Sequence, residues 1–529
     1  MRYNKKKEAP AAKTVTTHQG GVGFQQSPEV ALLSLLAIGL DKTYYEGSNE
    51  REKRLVSLIQ EVAAKDKYFA AQCIVYARVV LGQRTITHRA AVELARLLKG
   101  EEWGKRFFGR WDKKNQQGGV IFRLDDILEI AGCYFHFNNG KTLSNPIKRG
   151  FAQALHTADE YELSKYRGDG RDVSMIDIFN LVHPVPSSSN KAAFVKLMTG
   201  KLVQTQTSEA LNSDAGRTVS DMVKSGAITK EEAVEVLSDM KGANWKELIP
   251  TAGYLNLLRN INNVAKADTK LIIELGKRLT DRDFIKKSLV FPHQIDLALE
   301  FLFNELTNSA VRNEVVKFLD EAYELSTDNV KELGMDEYTA VVIDTSGSMT
   351  SSMCKGEKGS PINKTAAEKA ALIGATLAKG LGADVYQFAD STKEFRINPN
   401  DSINTIKRQL MNSNGSVGHG TYVDTAFQLF NSTGKEYKRI FLLSDLQIAD
   451  SLVKQGTWNS GATGYNQFVA RCGEPYIYSV DLAGYGNQPL KQSDRFFNLT
   501  GYSQQIYTTA KAYEVDPKAL INEVKRIKI

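Results

Sequence analysis

One apolar segment of the chain ends in side chains that could do chemistry. In VVIDTSGSMT, residues 341–350, a carboxylate and two hydroxyls stand at alternate positions, Asp344, Ser346 and Ser348. The ligands of an open parallel sheet lie at the carboxyl ends of its strands, and these residues directly follow a strand pattern. Their oxygen atoms form a hard ligand set, which suits Mg²⁺ and excludes the softer metals that prefer histidine or cysteine. The motif therefore predicts a site for Mg²⁺ or another hard divalent cation.

The elements that position this motif have the rhythm of an α/β domain. Apolar strands alternate with helical patterns, as expected for a parallel sheet covered on both faces. The predicted strands are 338–343, 384–389, 439–443 and 476–481, and the predicted helices are 364–380, 402–411, 424–432 and 464–472. Two more oxygen ligands come at matching strand ends, Thr421 in the loop NSNGSVGHGTYVD and Asp445 after the strand IFLLS. We expect both to join the motif at one edge of the sheet.

The part of the chain before this domain is a succession of helical patterns. The residues SPE at 27–29 combine a capping hydroxyl, a proline in the first turn and an acid favoured by the helix dipole. Thr229 and Glu232 have the spacing of a capping box. Many helices with short linkers favour stacked helical hairpins of a solenoid kind. We therefore predict a disordered basic arm, an all-α HEAT-like helical-repeat domain and a doubly wound, Rossmann-like α/β domain, over residues 1–20, 21–335 and 336–529.

Composition places the chain among ordinary soluble proteins. It has 529 residues, of which 42% are hydrophobic and 24% charged, with a net charge of +7 that permits a polyanionic partner. The longest apolar stretch, 30–40, is too short to span a membrane, and the basic N-terminus has no apolar segment typical of a secretory signal. Four cysteines lie far apart, in no disulfide or zinc pattern. These features predict a cytoplasmic protein without a membrane partner.

The oxygen ligands together resemble a known binding site. Asp-x-Ser-x-Ser with a later Thr and Asp is similar to the metal-ion-dependent adhesion site of von Willebrand factor A domains. The resemblance implies that the hydroxyls bind the metal, that the aspartates often act through water, and that an open coordination position takes a carboxylate from a partner. The chain departs from the pattern at Leu446, where many members have Gly, and in the inserted segment SSMCKGEKGSP, 351–361.

Five segments of the helical part resemble blocks of the TROVE module. They are GLDKTYYEG (39–47), SNPIKRGFAQAL (144–155), LVHPVPSSSNKAAFVKLMTGK (181–201), LNLLRNINN (255–263) and FPHQIDLALEF (291–301). With the adhesion-type domain behind them, the chain resembles Ro60-type RNA-binding proteins, as a bacterial or phage-like member. The resemblance implies a helical ring whose cavity takes single-stranded 3′ ends of misfolded RNAs and whose outer surface binds small structured Y-type RNAs. It also implies a monomer, because the ring closes within one chain, a nuclease partner, polynucleotide phosphorylase or another exoribonuclease, and a protein that is not itself an enzyme.

The same resemblance points to particular RNA contacts. It implies a contact at His183, and more loosely at the basic residues Lys165, Arg167 and Arg171. The residues themselves favour this interpretation, because KYRGDGRD is a glycine-containing cationic loop ahead of a helix, and PSSSNK, ending in Lys191, joins hydroxyls to a helix start that can bind anions. The alternative for the histidine is a buried structural role.

Other interpretations remain open at this stage. The aromatic and basic residues of WGKRFFGRWDKKN (103–115) could stack on bases, but their helical spacing favours the protein core. The motif at 344–348 on its own could be a turn and helix cap. The main functional alternative is a metal-dependent adaptor that grips an acidic residue of another protein and uses the helical part as a protein-binding solenoid. A triad, a P-loop and a nucleophile elbow are all missing from the sequence.

Overall fold

The computed structural model describes residues 13–140, 142–202, 208–332, 334–335, 338–351, 353–354, 364–453, 463–500 and 505–529. The chain forms two compact units. One, the α/β unit, consists of Met1–Val62 and Val330–Glu523, and the other, the helical unit, consists of Ala63–Asn329 and Val524–Ile529. These units differ from the predicted domains, because residues 21–62 lie with the adhesion-type domain and not with the helical repeats.

The N-terminal segment contributes two strands and two helices, β1 (Thr14–Thr16), β2 (Val22–Gln25), α1 (Pro28–Ile38) and α2 (Ser48–Lys65). The two strands pair antiparallel, so the described part of the predicted arm is ordered, while residues 1–12 lie outside the described residues. The predicted helix start is confirmed, because Ser27 Oγ accepts a hydrogen bond from Val30 N at 3.3 Å. Residues 31–37 of α1 are all buried and, apart from Ser34, apolar, and a helix that is nearly apolar on every side must be covered on every side.

The helical unit is built from short helices that pack mainly on near neighbours in sequence. Its elements are α3 (Lys67–Val79), α4 (Thr85–Ala95), α5 (Gly104–Phe107), β3 (Trp111–Asp112), β4 (Gln117–Gly118), α6 (Asp126–Phe137), α7 (Asn145–His156), α8 (Glu160–Lys165), α9 (Met175–Val182), α10 (Lys191–Met198), α11 (Ser208–Lys224), α12 (Lys230–Leu248), α13 (Tyr254–Arg259), α14 (Ile261–Ala267), α15 (Leu271–Leu279), α16 (Arg282–Lys287), α17 (Pro292–Glu305), α18 (Ser309–Ser326) and α19 (Asp328–Lys331).

Two sequence predictions for this unit are confirmed. Thr229 and Glu232 form a reciprocal capping box at the start of α12, with N–H to side-chain distances of 2.8 and 3.1 Å. Of the aromatic residues Trp103, Phe107, Phe108 and Trp111, the last three are buried in the core, as their helical spacing favoured, whereas Trp103 is half-buried.

The remaining elements follow the order of a doubly wound α/β fold. They are β5 (Thr339–Asp344), α20 (Gly347–Ser351), β6 (Met353–Cys354), β7 (Lys364–Thr365), α21 (Ala366–Leu381), β8 (Asp384–Phe388), β9 (Thr392–Phe395), α22 (Ile403–Asn412), α23 (Asp424–Thr433), β10 (Arg439–Ser444), α24 (Gly464–Cys472), β11 (Tyr476–Asp481), β12 (Asn487–Gln488), β13 (Phe496–Thr500), α25 (Gln505–Tyr513) and α26 (Ala519–Lys525). The predicted strands and the helices between them are all present.

Six strands form one sheet in the order β13-β11-β10-β5-β8-β9, parallel except for the antiparallel edge strand β9. Helices lie on both faces. Val342 and other inward residues of one face pack against α23 and α24, whereas α21 approaches the opposite face so closely that a Cβ on Gly374 would lie 2.6 Å from Ile343. The predicted fold class, helical repeats with a doubly wound von Willebrand factor A-like domain, is confirmed.

The N-terminal segment is attached to the α/β unit by backbone pairing and by a buried cation. Strand β2 pairs with β12, and α1 packs against β13. The guanidinium of Arg51 is fully buried and donates to the carbonyl oxygens of Gly39 and Ala483 at 2.9 and 2.7 Å. These contacts explain why residues 21–62 belong to this unit. Within the described residues, the chain has no helix with the length and apolarity that a membrane crossing needs.

A buried ionic cluster fixes the middle of the helical unit. Asp126 has no exposed surface and accepts hydrogen bonds from Arg78, from His88 at 2.9 Å, and from the backbone N–H groups of Phe122 and Arg123, both at 2.9 Å. Burial alone raises the pKa of Asp126, but His88 and Arg78 outweigh it and hold that pKa well below its usual range.

We expect Asp126→Ala to destabilise the helical unit by about 3–5 kcal/mol, because it leaves the buried Arg78 guanidinium without its counter-charge. Denaturant unfolding monitored by circular dichroism measures this loss. The matched control is Asp221→Ala, whose ion pair with Lys224 is exposed on both sides and contributes less than about 1 kcal/mol.

The same variant has a pH signature. Because the folded pKa of Asp126 lies below its unfolded value, its stabilisation is present above the unfolded pKa and disappears as pH falls through the folded pKa. The wild-type protein should therefore lose more stability on acidification than Asp126→Ala. Parallel acid profiles for the two proteins would contradict the assigned role.

Candidate functional site

The predicted oxygen ligands meet at the carboxyl edge of the sheet. Strand β5 lies between β8 and β10, so the chain leaves β5 where the strand order reverses direction. Such a switch point opens a crevice at the strand ends. Asp344 ends β5, and Asp445 directly follows β10, its immediate neighbour. Both carboxylates therefore lie at the position where this fold class binds ligands.

Backbone hydrogen bonds hold the surrounding loops together. Thr345 N and Thr345 Oγ1 both donate to Phe388 O at the end of β8, at 3.0 and 3.1 Å. Gly347 N donates to His419 O at 3.3 Å, and Ala449 N donates to Thr421 O at 2.8 Å. The loop that carries Thr421 is thus tied to the segments after β5 and after β10. All five predicted ligands are at most 3% exposed: Asp344, Ser346, Ser348, Thr421 and Asp445.

Hydrogen bonds satisfy only part of this oxygen cluster. Asp344 accepts from Ser346 N at 2.8 Å and from Ser444 Oγ at 2.5 Å, and the two serine hydroxyls of the motif lie 3.2 Å apart. Asp445 Oδ1 accepts from a backbone N–H at 3.1 Å. Asp445 Oδ2 and Thr421 Oγ1 are buried, and the described residues offer neither atom a hydrogen-bond partner. Buried oxygens in this state are expected to have a ligand.

The pKa shifts of Asp344 and Asp445 also favour a bound ligand, in this case a cation. Burial raises the pKa of Asp344 to about 7, and the nearby charge of Asp445 adds to the effect. Burial also raises the pKa of Asp445, which the Ser348 hydroxyl and His18 partly offset. Two desolvated carboxyl groups that repel each other gain from a cation between them.

The donor set fits a hard divalent cation. Three hydroxyls and two carboxylates supply only oxygen, and two of the oxygens have no other partner among the described residues. No cluster of three or more His, Cys, Asp or Glu side chains suited to a metal occurs in the described ranges, so any cation here depends on the hydroxyls. Most of the predicted insertion, 351–361, lies outside the described residues.

The sequence analysis missed one supporting residue and noticed another without explaining it. Ser444 orients Asp344, and its only signal was a hydroxyl placed directly before Asp445. Leu446 occupies the position where the related domains often have Gly, and its φ is +61°, in the left-handed region that glycine favours. Its side chain is buried in the core against the sheet, so packing offsets the backbone strain.

The helical unit places the predicted RNA contacts around α9. His183 is exposed at the C-terminal end of this helix, with a left-handed φ of +46°, so the alternative of a buried structural histidine is wrong. Arg167 lies near the opposite end, where its carbonyl accepts from Met175 N at 2.8 Å. Eight helical residues span about 12 Å, so the two predicted contacts are separated along the helix.

The basic residues before α9 differ in their availability. Arg171 pairs with Glu129 at 2.6 Å, and Arg167 pairs with Asp169 at 3.0 Å and also donates to a backbone carbonyl. Lys165 lies beside two aromatic rings, with its Nζ 5.6 and 5.9 Å from the ring centroids of Tyr161 and Tyr166. Among the described ring contacts of these three basic residues, those of Lys165 alone combine a cation with flat side chains.

The loop before α10 is anchored on one buried amide. Asn190 Nδ2 donates to the carbonyl oxygens of Leu155, His156 and Ala158, at 2.9 to 3.2 Å, while its Oδ1 accepts from Ser187 N at 2.8 Å. This anchor leaves Ser188, Ser189 and Lys191 exposed. Among the described residues Lys191 has no ion-pair partner, so it can contact a phosphate.

Comparison with known proteins supports the fold. The solved structure of the Ro (RSR) protein of Deinococcus radiodurans matches 92% of this chain and 99% of its own, with a TM-score of 0.51 and 15% sequence identity. No family model matches the chain, and no curated protein matches it either. The predicted resemblance to Ro proteins is thus confirmed at the level of the fold.

In the absence of divalent cations, Asp445→Asn should stabilise the α/β unit by about 1–3 kcal/mol, because it removes a desolvated charge facing Asp344. Thermal unfolding in a chelator measures the change. The matched control is Asp384→Asn at the amino end of β8, where the carboxylate pairs with Lys435 at 2.9 Å and its neutralisation brings no gain. A destabilised Asp445→Asn would show that the two carboxylates do not repel each other.

Proposed function

We propose that this protein binds non-coding RNA, as a Ro-type protein does. The single observation that supports this proposal best is the likeness to the Deinococcus Ro protein, which extends over nearly the full length of both chains and includes both units. A likeness limited to the α/β unit would be shared with many unrelated binding domains.

The exposed residues of the helical unit suit single-stranded RNA. Such RNA is held by cations that contact phosphates and by flat side chains that stack on bases. His183 offers an exposed imidazole ring, Lys191 an exposed ammonium group, and Lys165 a cation beside two tyrosines. The exposed hydroxyls of Ser188 and Ser189 add donors to the same loop as His183.

The RNA ligands follow from the resemblance. We propose that the helical unit takes single-stranded 3′ ends of misfolded RNAs and that its basic surface binds small structured Y-type RNAs. The protein then acts as a binding component of RNA quality control, with polynucleotide phosphorylase or another exoribonuclease supplying the chemistry. It carries out no reaction of its own.

Filter binding tests this function with a short RNA duplex, with and without a single-stranded 3′ tail, over a series of salt concentrations. The tailed RNA should bind more tightly, and its affinity should fall steeply with salt because bound cations release counterions. His183→Ala should weaken tailed binding by about tenfold, the loss expected for one stacking contact. The matched control is His136→Ala, an exposed histidine on α6.

Equal and weak binding of both RNAs at low salt would contradict the RNA function. Equal losses in His183→Ala and His136→Ala would leave RNA binding standing but remove His183 from the contact surface.

The oxygen cluster of the α/β unit supports a second proposed property, a bound Mg²⁺. Thr421 Oγ1 and Asp445 Oδ2, which are buried and have no hydrogen-bond partner among the described residues, favour it. Ser346, Ser348 and Thr421 would hold the ion, and the two aspartates would balance its charge. When bound, the cation offers a coordination position to an acidic side chain, so the protein could also act as a metal-dependent adaptor.

Thr421→Val tests the cation with little disturbance of the fold, because the hydroxyl it removes bonds to none of the described residues. At a Mg²⁺ concentration of 100 times the dissociation constant, the wild-type unit should gain about 2.7 kcal/mol of stability over the protein in chelator. The variant should lose most of this gain. Thr433→Val, exposed on α23, is the control and should keep it.

Stability that ignores Mg²⁺ in the wild type would contradict the metal centre. Changes of salt concentration and chelation of Mg²⁺ distinguish the RNA-binding function from the adaptor function. RNA binding responds mainly to salt, whereas an adaptor responds mainly to chelation.

A further inference from the structure

Part of the N-terminal segment lies over the candidate metal centre. Thr17 Oγ1 donates to Ile448 O at 2.5 Å, and Val22 N donates to Asp450 O at 3.1 Å. Gly21 packs so closely here that a Cβ would lie 2.3 Å from Ile448 O. Residues 17–22 are therefore fastened along the loop that directly follows Asp445. These direct contacts fix the position of the segment on that loop.

Gln447 connects this segment to the candidate ligand Asp445. Its backbone N–H donates to Asp445 Oδ1 at 3.1 Å, and its side-chain Oε1 accepts from His18 N at 3.0 Å. Its Nε2 donates to Asn487 Oδ1 at 2.9 Å, and the residue is buried. One residue thus holds both the aspartate, through its backbone, and the N-terminal segment, through its side chain.

An aromatic cluster continues from His18 toward the motif. The His18 and Tyr45 rings are stacked at 4.6 Å and nearly parallel, and the Tyr485 ring packs edge-on against Tyr45 at 5.6 Å. Tyr485 Oη accepts from Tyr45 N at 3.2 Å, and the Tyr45 hydroxyl accepts from Gln19 Nε2. Both the ring and the hydroxyl of Tyr45 are therefore held in place.

Tyr45 is connected to the candidate ligand Asp445 through His18, because its ring stacks on His18, whose N–H donates to the Gln447 side chain, and the Gln447 N–H donates to Asp445 Oδ1. Burial raises the pKa of Tyr45, the charge of Asp445 raises it further, and hydrogen bonds with Gln19 and Ser348 lower it in part. The candidate ligands themselves are almost completely buried. A carboxylate from another protein needs an open approach to the cation, and the Tyr45 ring belongs to the cluster that is fastened to the loop after Asp445.

We propose that Tyr45 closes the approach to the candidate metal centre, held there by His18 and by Gln447 through residues 17–22. This inference rests on the proposed cation. The closed arrangement protects the centre from solvent, and a partner's acidic side chain enters only after Tyr45 has turned away. The N-terminal segment thus determines when the α/β unit can bind a partner.

Water-proton relaxation by bound Mn²⁺ tests the closure, because only water that reaches the ion relaxes quickly. The probe is Mn²⁺ alone, added to the full-length protein, with binding at the centre defined as the part lost in Asp344→Ala. We expect Tyr45→Ala to admit a second water molecule to an ion that holds one in the wild type. The enhancement of the water-proton relaxation rate per bound Mn²⁺ should then rise about twofold. Tyr338→Ala is the matched control, since this tyrosine is exposed and precedes β5 at the end of the strand away from the candidate ligands.

The variant Tyr45→Phe keeps the stacked ring and removes only the hydroxyl, which guards against a variant that fails to fold. An enhancement in Tyr45→Phe between those of the wild type and Tyr45→Ala supports closure by both ring and hydroxyl. Mn²⁺ that binds only after Tyr45 is replaced supports closure in its strongest form.

Unchanged enhancement in Tyr45→Ala and Tyr45→Phe, with Mn²⁺ bound as in the wild type, would overturn the closure and leave the metal centre standing. Failure of Mn²⁺ to bind the wild type and both variants would overturn the proposed cation and the closure with it. The RNA-binding proposal is independent of either result.

Discussion

The α/β unit is organised around two carboxyl groups that it buries together. Asp344 and Asp445 end neighbouring strands at the switch point of the sheet, where the fold leaves a crevice. Neither has a basic partner in the hydrogen-bond pattern of the described residues, and burial raises both pKa values. Backbone N–H groups and Ser444 satisfy only part of their oxygens. A cation between the two carboxyl groups would supply the counter-charge that the described residues do not, which is why we interpret this edge of the sheet as a candidate binding site.

The helical unit contains the opposite case. Asp126 is equally buried, but Arg78 and His88 surround it and its pKa is held low. A buried acid with its counter-charge already in place stabilises a fold and has no need of a ligand. Strongly perturbed pKa values alone therefore do not identify a functional site. The direction of the shift, together with the presence or absence of an internal cation, separates the structural aspartate of one unit from the candidate ligands of the other.

The features that depend on local residue patterns could be predicted from the sequence. The apolar strands, the ligand motif and its meeting with Thr421 and Asp445 followed from alternation and spacing. The role of residues 21–62 did not, because β2 pairs with a strand more than 400 residues away and its alternation is too short to recognise. For the same reason Tyr45 received no functional role. Arg171 was predicted as an RNA contact, but its pairing with Glu129 depends on tertiary contacts that a basic loop does not reveal.

Both candidate sites contain a residue other than glycine in the left-handed backbone region, and the two cases differ in what offsets the strain. For such residues this conformation costs roughly 1–2 kcal/mol. Leu446 recovers the cost by burying its side chain in the core, which is worth about 1.5–3 kcal/mol. His183 takes the left-handed conformation at the end of α9, where its N–H donates to Phe179 O at 3.0 Å, so a helix-capping hydrogen bond offsets its cost. The backbone of His183 thus completes the helix, while its exposed imidazole stays at the proposed RNA surface.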